Sequence, residues 1–135
     1  MPFESSTIIV VDDDRQVLRS LRFLFETEGF QVRTFESASG LLSDPALSSL
    51  PWQQNACLVL DYRMPGINGL DLLACLRDRE ISLPTVLITG DPDETIDRRA
   101  AKAGVIRVFH KPHFDVDLVE GVRQALKNEI AEPRP

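Results

Sequence analysis

At 135 residues the chain is sized for one compact domain. Hydrophobic residues make up 43% of it and charged residues 27%, which is enough apolar material for one filled core and too much for a disordered tail. The formal net charge of −6 argues against nucleic acid as the direct partner of this domain, since duplex binding needs a basic face. No apolar run approaches the ~20 residues that cross a bilayer.

The first five residues form an N-terminal extension without the basic and apolar regions of a secretion signal, so the cytoplasm is the expected compartment. Thr7-Ile8-Ile9-Val10-Val11 predicts a first strand, apolar on both faces, that runs into Asp12, Asp13 and Asp14. Residues 15–28 place Val17, Leu18, Leu21, Leu24 and Phe25 on one helical face, with Asp14 as the cap and Gly29 as the stop. Gln31-Val32-Arg33-Thr34 is a more polar strand, suited to a sheet edge. Ala38 to Gln54 is expected to hold a short helix and then a loop around Pro51-Trp52.

Ala56-Cys57-Leu58-Val59-Leu60 predicts a buried strand ending in Asp61, and residues 67–79 carry Leu70, Leu73 and Leu76 at helical spacing. Thr85-Val86-Leu87-Ile88 is the next strand and ends in Thr89. Asp91-Pro92 supplies a cap and a first-turn proline for a helix over 92–103, which Gly104 ends. Val105-Ile106-Arg107-Val108-Phe109 follows as a strand shortly before Lys111, and residues 115–129 form a last helix through Leu118, Val119, Val122 and Leu126. The domain is expected to span 6–129, with 130–135 a tail or linker stub. Cys57 and Cys75 lie in apolar surroundings without metal-ligand spacing and are expected to be reduced core thiols.

Strands alternating with helices imply an α/β, doubly wound (βα)5 fold of flavodoxin-like topology: a five-stranded parallel sheet in order 2-1-3-4-5, helices on both faces. Ligands of such sheets bind beyond the carboxyl ends of the strands, where the order reverses. The polar residues gather there. Asp12 and Asp13 follow strand one, Asp61 strand three, Thr89 strand four and Lys111 strand five. Taken singly, each is ordinary turn or cap chemistry. Together they put three carboxylates, a hydroxyl and an ammonium group into one crevice.

Carboxylates crowded in this way repel one another and call for a cation. Mg²⁺ is the natural candidate, because it takes one or two carboxylates, waters and phosphate oxygens. Lys111 suits a phosphoryl oxygen as a compact charge, and Thr89 as a hydroxyl donor. An aspartate that attacks phosphorus would become an aspartyl phosphate.

The stretches Ile9-Val10-Val11-Asp12-Asp13-Asp14, Leu60-Asp61-Tyr62-Arg63-Met64-Pro65-Gly66 with Gly69, Leu87-Ile88-Thr89-Gly90 and Lys111-Pro112 together resemble the receiver domains of two-component response regulators, over roughly residues 6–128. The wording is most similar to receivers that precede DNA-binding helix-turn-helix domains. The resemblance implies Asp61 as phosphoacceptor, a sensor histidine kinase as donor, and Mg²⁺ held directly by Asp13, Asp61 and the Arg63 backbone carbonyl and by Asp12 largely through water. It implies that Thr89 and Lys111 contact the phosphoryl oxygens, that Gly90 leaves room for the donor, that Asp91 tunes hydrolysis, and that the Lys111-Pro112 bond is cis. The family's inward-turning aromatic would stand at position 108, where this chain has Val108, with Phe109 sent to the opposite face.

Such a domain is a phosphoacceptor in signalling, not an enzyme, and assists its own phosphorylation and dephosphorylation. Its output would pass through the face built from residues 92–129, with Arg98, Arg99, Lys102, Arg107 and Arg123, to a homodimer partner or to a fused or separate DNA-binding output domain. Three competing readings are weaker. A Mg²⁺-dependent phosphohydrolase with an aspartate nucleophile wants a second carboxylate just after it, where Tyr62 and Arg63 stand. A degenerate receiver that binds partners without phosphorylation would have no need of the full acidic, hydroxyl and lysine set. A flavin-binding domain would want a hydroxyl-rich loop after strand one.

Overall fold

The computed structural model describes residues 6–48, 55–90, 93–110 and 116–131. Its strands are β1 (Thr7–Val11), β2 (Gln31–Phe35), β3 (Ala56–Asp61), β4 (Thr85–Thr89) and β5 (Arg107–His110). The helices are α1 (Arg15–Thr27), α2 (Ala38–Leu42), α3 (Gly69–Asp78), α4 (Glu94–Lys102) and α5 (Val116–Ala131), with a 3₁₀ turn at Pro45–Ser48. All neighbouring strands pair in parallel, in the order β2-β1-β3-β4-β5. The polar strand Gln31–Phe35 is at one edge, as its sequence requires. No helix among the described residues is long and apolar enough to cross a membrane.

Alternation along the strands divides the core in two. Ile9, Val11, Leu58, Leu60 and Leu87 point to one face, where Leu41 of α2, Leu72, Leu73 and Leu76 of α3, and Ile96 and Ala100 of α4 cover them. Ile8, Val10, Cys57, Val59, Val86, Ile88 and Phe109 point to the other, under Leu18, Leu21 and Phe25 of α1 and Leu118, Val119 and Val122 of α5. Cys57 is fully buried, and burial pushes its thiol pKa up, away from reactivity. Both cysteines are free thiols.

The helix ends explain most of the boundaries. Asp14 caps α1, its Oδ1 accepting the Gln16 N–H at 2.9 Å. Asn68 caps α3 by accepting from Asp71 at 2.8 Å. The cap of α4 is Asp93, which accepts the Thr95 N–H at 2.8 Å, and this corrects the expectation for Asp91. Asp91 and Pro92 lie outside the described residues, as do Pro51-Trp52, Lys111 and Pro112.

Three helices close with the same paired hydrogen bonds, the Schellman arrangement. Gly29 and Phe30 N–H groups donate to Glu26 and Phe25 at the end of α1, and Gly104 and Val105 donate to Ala101 and Ala100 at the end of α4. Val105 is therefore spent on closing the helix, so β5 starts at Arg107 and not at Val105. At the end of α3, Glu80 and Ile81 donate to Arg77 and Leu76. Gly29 and Gly104 meet the left-handed backbone this closure demands without penalty, but Glu80 is forced to a φ of 62°. Glu80→Gly is expected to stabilise the domain by about 0.5–1 kcal/mol, the relief of strain exceeding the added chain entropy. Urea denaturation would read the change in midpoint.

Candidate functional site

The site is built where β1 and β3 end. Asp12 directly follows β1, with its N–H donating to Phe35 O at 3.1 Å and its Oδ1 accepting the Asp14 N–H at 2.9 Å. Asp61 is the last residue of β3. Asp12 and Asp61 are buried and Asp13 is exposed, yet one carboxylate oxygen from each lies within 4.8 Å of the other two. Thr89, buried, ends β4 alongside. Since β1 is flanked by β2 and β3, this is the point where the strand order turns back on itself, and the three carboxylates sit at the expected crevice.

The loop after Asp61 forms the outer wall. Tyr62 N–H donates to Ile88 O at 2.8 Å, and Tyr62 O accepts from Gly69 N–H at 2.8 Å, so both ends of the loop are tied to the framework. Gly66 takes a φ of 93°, which only glycine adopts without strain. Gly69 allows the start of α3 to approach β3 closely, since a Cβ there would lie 2.6 Å from the Asp61 carbonyl oxygen. Asp13, Tyr62, Arg63, Met64, Pro65 and Asn68 line an open cavity of about 490 Å³ beside the carboxylates.

Among the sequence-predicted site residues, the structure brings Asp12, Asp13, Asp61 and Arg63 around this cavity and the acidic cluster, with Thr89 on the adjoining strand end. Gly90 follows Thr89, and a Cβ there would meet nothing within 4 Å. Val108 packs against the α2–α4 side of the sheet and Phe109 against the α1–α5 side. Of the basic residues, Arg98, Arg99, Lys102 and Arg107 are exposed. Arg123 instead belongs to the α1–α5 seam, its Nη2 2.7 Å from Glu28 and its guanidinium over the Phe30 ring. Sequence reasoning missed the link between Tyr62 and α4, where Arg99 Nη1 donates to the phenol oxygen at 3.2 Å.

Three carboxylates so close need a positive charge, and an all-oxygen, partly open donor set fits a hard divalent cation that keeps some of its waters. The donor chemistry of the site therefore fits Mg²⁺.

The family model described as the response regulator receiver domain matches residues 8–123. The transcriptional regulatory protein FixJ of Rhizobium meliloti (strain 1021) is 34% identical over 125 residues, covering 93% of this chain and 59% of FixJ. The response regulator protein TmoT of Ectopseudomonas mendocina is 37% identical, over 92% of this chain and 54% of TmoT. A crystal structure of FixJ-N superimposes with a TM-score of 0.80 at 33% identity, covering 91% of this chain and 94% of that one. The chain belongs to the receiver domain family of two-component response regulators, a family of phosphorylation-based signalling domains. It spans little more than half the length of the relatives it matches.

Proposed function

We propose that Asp61 accepts a phosphoryl group from the phosphohistidine of a sensor kinase, and that the modified domain signals through an altered surface. The observation that carries this reading is the cluster of Asp12, Asp13 and Asp61 oxygens within 4.8 Å, beside Thr89 and an open cavity. An Asp61 oxygen attacks phosphorus, the P–O bond forms as the P–N bond breaks, and the imidazole leaves with the electron pair. Such a transfer asks little of a protein beyond in-line positioning and neutralisation of the spreading charge.

Burial at the end of β3 fixes the nucleophile, while the open side of the pocket admits the donor. Asp12, Asp13, Asp61 and the Arg63 carbonyl would hold Mg²⁺, which when bound offsets the negative charge of the phosphoryl oxygens and the carboxylates. Thr89 donates its hydroxyl to a phosphoryl oxygen, and Lys111 supplies the opposing cation. Gly90 leaves the approach clear, and Asp91 sets the rate at which water later cleaves the acyl phosphate. The assignment of Lys111, Asp91 and a cis Lys111-Pro112 bond rests on the family resemblance. So do cytoplasmic residence, a homodimer or DNA-binding output through the 92–129 face, and the role of the domain in its own dephosphorylation.

Incubation with acetyl phosphate and Mg²⁺ should load one acid-labile phosphate per chain, and EDTA should prevent it. Loading that proceeds unchanged in EDTA would contradict the metal assignment. No loading at all would contradict the function.

A further inference from the structure

Tyr62 is the sole tyrosine of the chain, directly follows Asp61 and lines the cavity beside it. Its backbone is pinned by the hydrogen bonds to Ile88 and Gly69, so a new charge at Asp61 has the Tyr62 side chain, not its main chain, free to respond. The half-buried ring packs against the same core cluster as Val108, and its hydroxyl reaches Arg99 on α4, 37 positions away. Position 108 offers only a small aliphatic side chain. Among the described residues, the aromatic side chain that lines the cavity is that of Tyr62.

The bond to Arg99 has the character a switch requires. The Arg99 Nη1 to Tyr62 hydroxyl bond, at 3.2 Å, is long and exposed, so water can compete for both groups. Two arrangements of such a contact differ little in free energy, and a dianionic group arriving in the adjoining cavity can select between them.

We propose that Tyr62 and Arg99 couple the charge state of the acidic pocket to the outer face of α4: Tyr62 moves with phosphorylation, and Arg99 is re-aimed on the surface as a result. Both are positioning residues, since neither takes part in forming the aspartyl phosphate. The inference rests on Asp61 being the phosphoacceptor, and the test separates the two.

Fluorotyrosine incorporation gives a single ¹⁹F resonance, because the chain has one tyrosine. Spectra of the full chain are recorded before and after acetyl phosphate with Mg²⁺, and acid-labile phosphate is measured in the same samples. In the wild type the resonance is expected to shift as phosphate is incorporated. In Arg99→Gln the starting resonance is displaced and the phosphorylation-induced shift falls severalfold, with phosphate loading unchanged; Arg99→Lys, which keeps a cationic donor, restores part of the shift. Phosphate incorporation with an unmoved resonance, or an equal shift in Arg99→Gln, would overturn the coupling alone. Absence of incorporation in the wild type would overturn the coupling together with the function beneath it.

Discussion

Asp61→Asn is expected to take up no acid-labile phosphate from acetyl phosphate under conditions that load the wild type. The substitution preserves shape at the end of β3, but an amide is not a competent nucleophile for phosphorus, and no other described carboxylate shares the buried position of Asp61 next to Thr89. Asp12 is buried too, but its Oδ1 is committed to the Asp14 N–H. Asp13 is exposed on the rim. The same variant separates chemistry from folding: because the amide keeps the shape of the carboxylate at the end of β3, thermal denaturation in EDTA is expected to show a cooperative unfolding transition like that of the wild type. Loss of that transition would show that the missing phosphate reports a lost fold and not a lost nucleophile.

Gly69→Ala is expected to destabilise the domain by about 1–3 kcal/mol, the usual cost of overpacking a site that cannot give way. Its Cβ would stand 2.6 Å from the Asp61 carbonyl oxygen, a backbone atom, and 3.1 Å from Leu87 Cδ1. Relief requires α3 to move away from β3 or Asp61 to shift. Either movement breaks the Gly69–Tyr62 hydrogen bond that closes the loop around the cavity. Phosphate loading should therefore fall along with the denaturation midpoint. A variant that keeps wild-type stability and loading would show that the approach of α3 to the nucleophile is not tight.

Much of this was legible in the sequence because it depends on local spacing. Apolar strands interrupted by acidic or hydroxyl residues gave the strand ends, and the parallel topology carried those ends to one crevice. Asp14 as a cap and Gly29 and Gly104 as stops follow from backbone chemistry alone. The failures have equally physical causes. Asp91 and Asp93 are both sound capping residues two positions apart, and only the observed Thr95 hydrogen bond decides between them. Val105 looks like a strand residue by side chain, but its N–H is used by the helix before it. Glu80 gives no sign of a left-handed backbone, since the expected glycine is missing. The Tyr62–Arg99 contact and the pairing of Arg123 with Glu28 join residues far apart in the chain, beyond the reach of any periodicity.

Asp12, Asp13 and Asp61 are proposed to form one divalent-cation site. Calorimetric titration of the phosphate-free protein with Mg²⁺ tests it most directly, alongside the Asp13→Asn variant. Loss of partners that merely orient metal ligands already costs about 10–100-fold in affinity, so loss of a ligand should weaken binding by tenfold or more. The expected result is saturable binding at one site by the wild type and a weakening of that size in Asp13→Asn. A wild type that binds no Mg²⁺, or a variant that binds it equally well, would contradict the account.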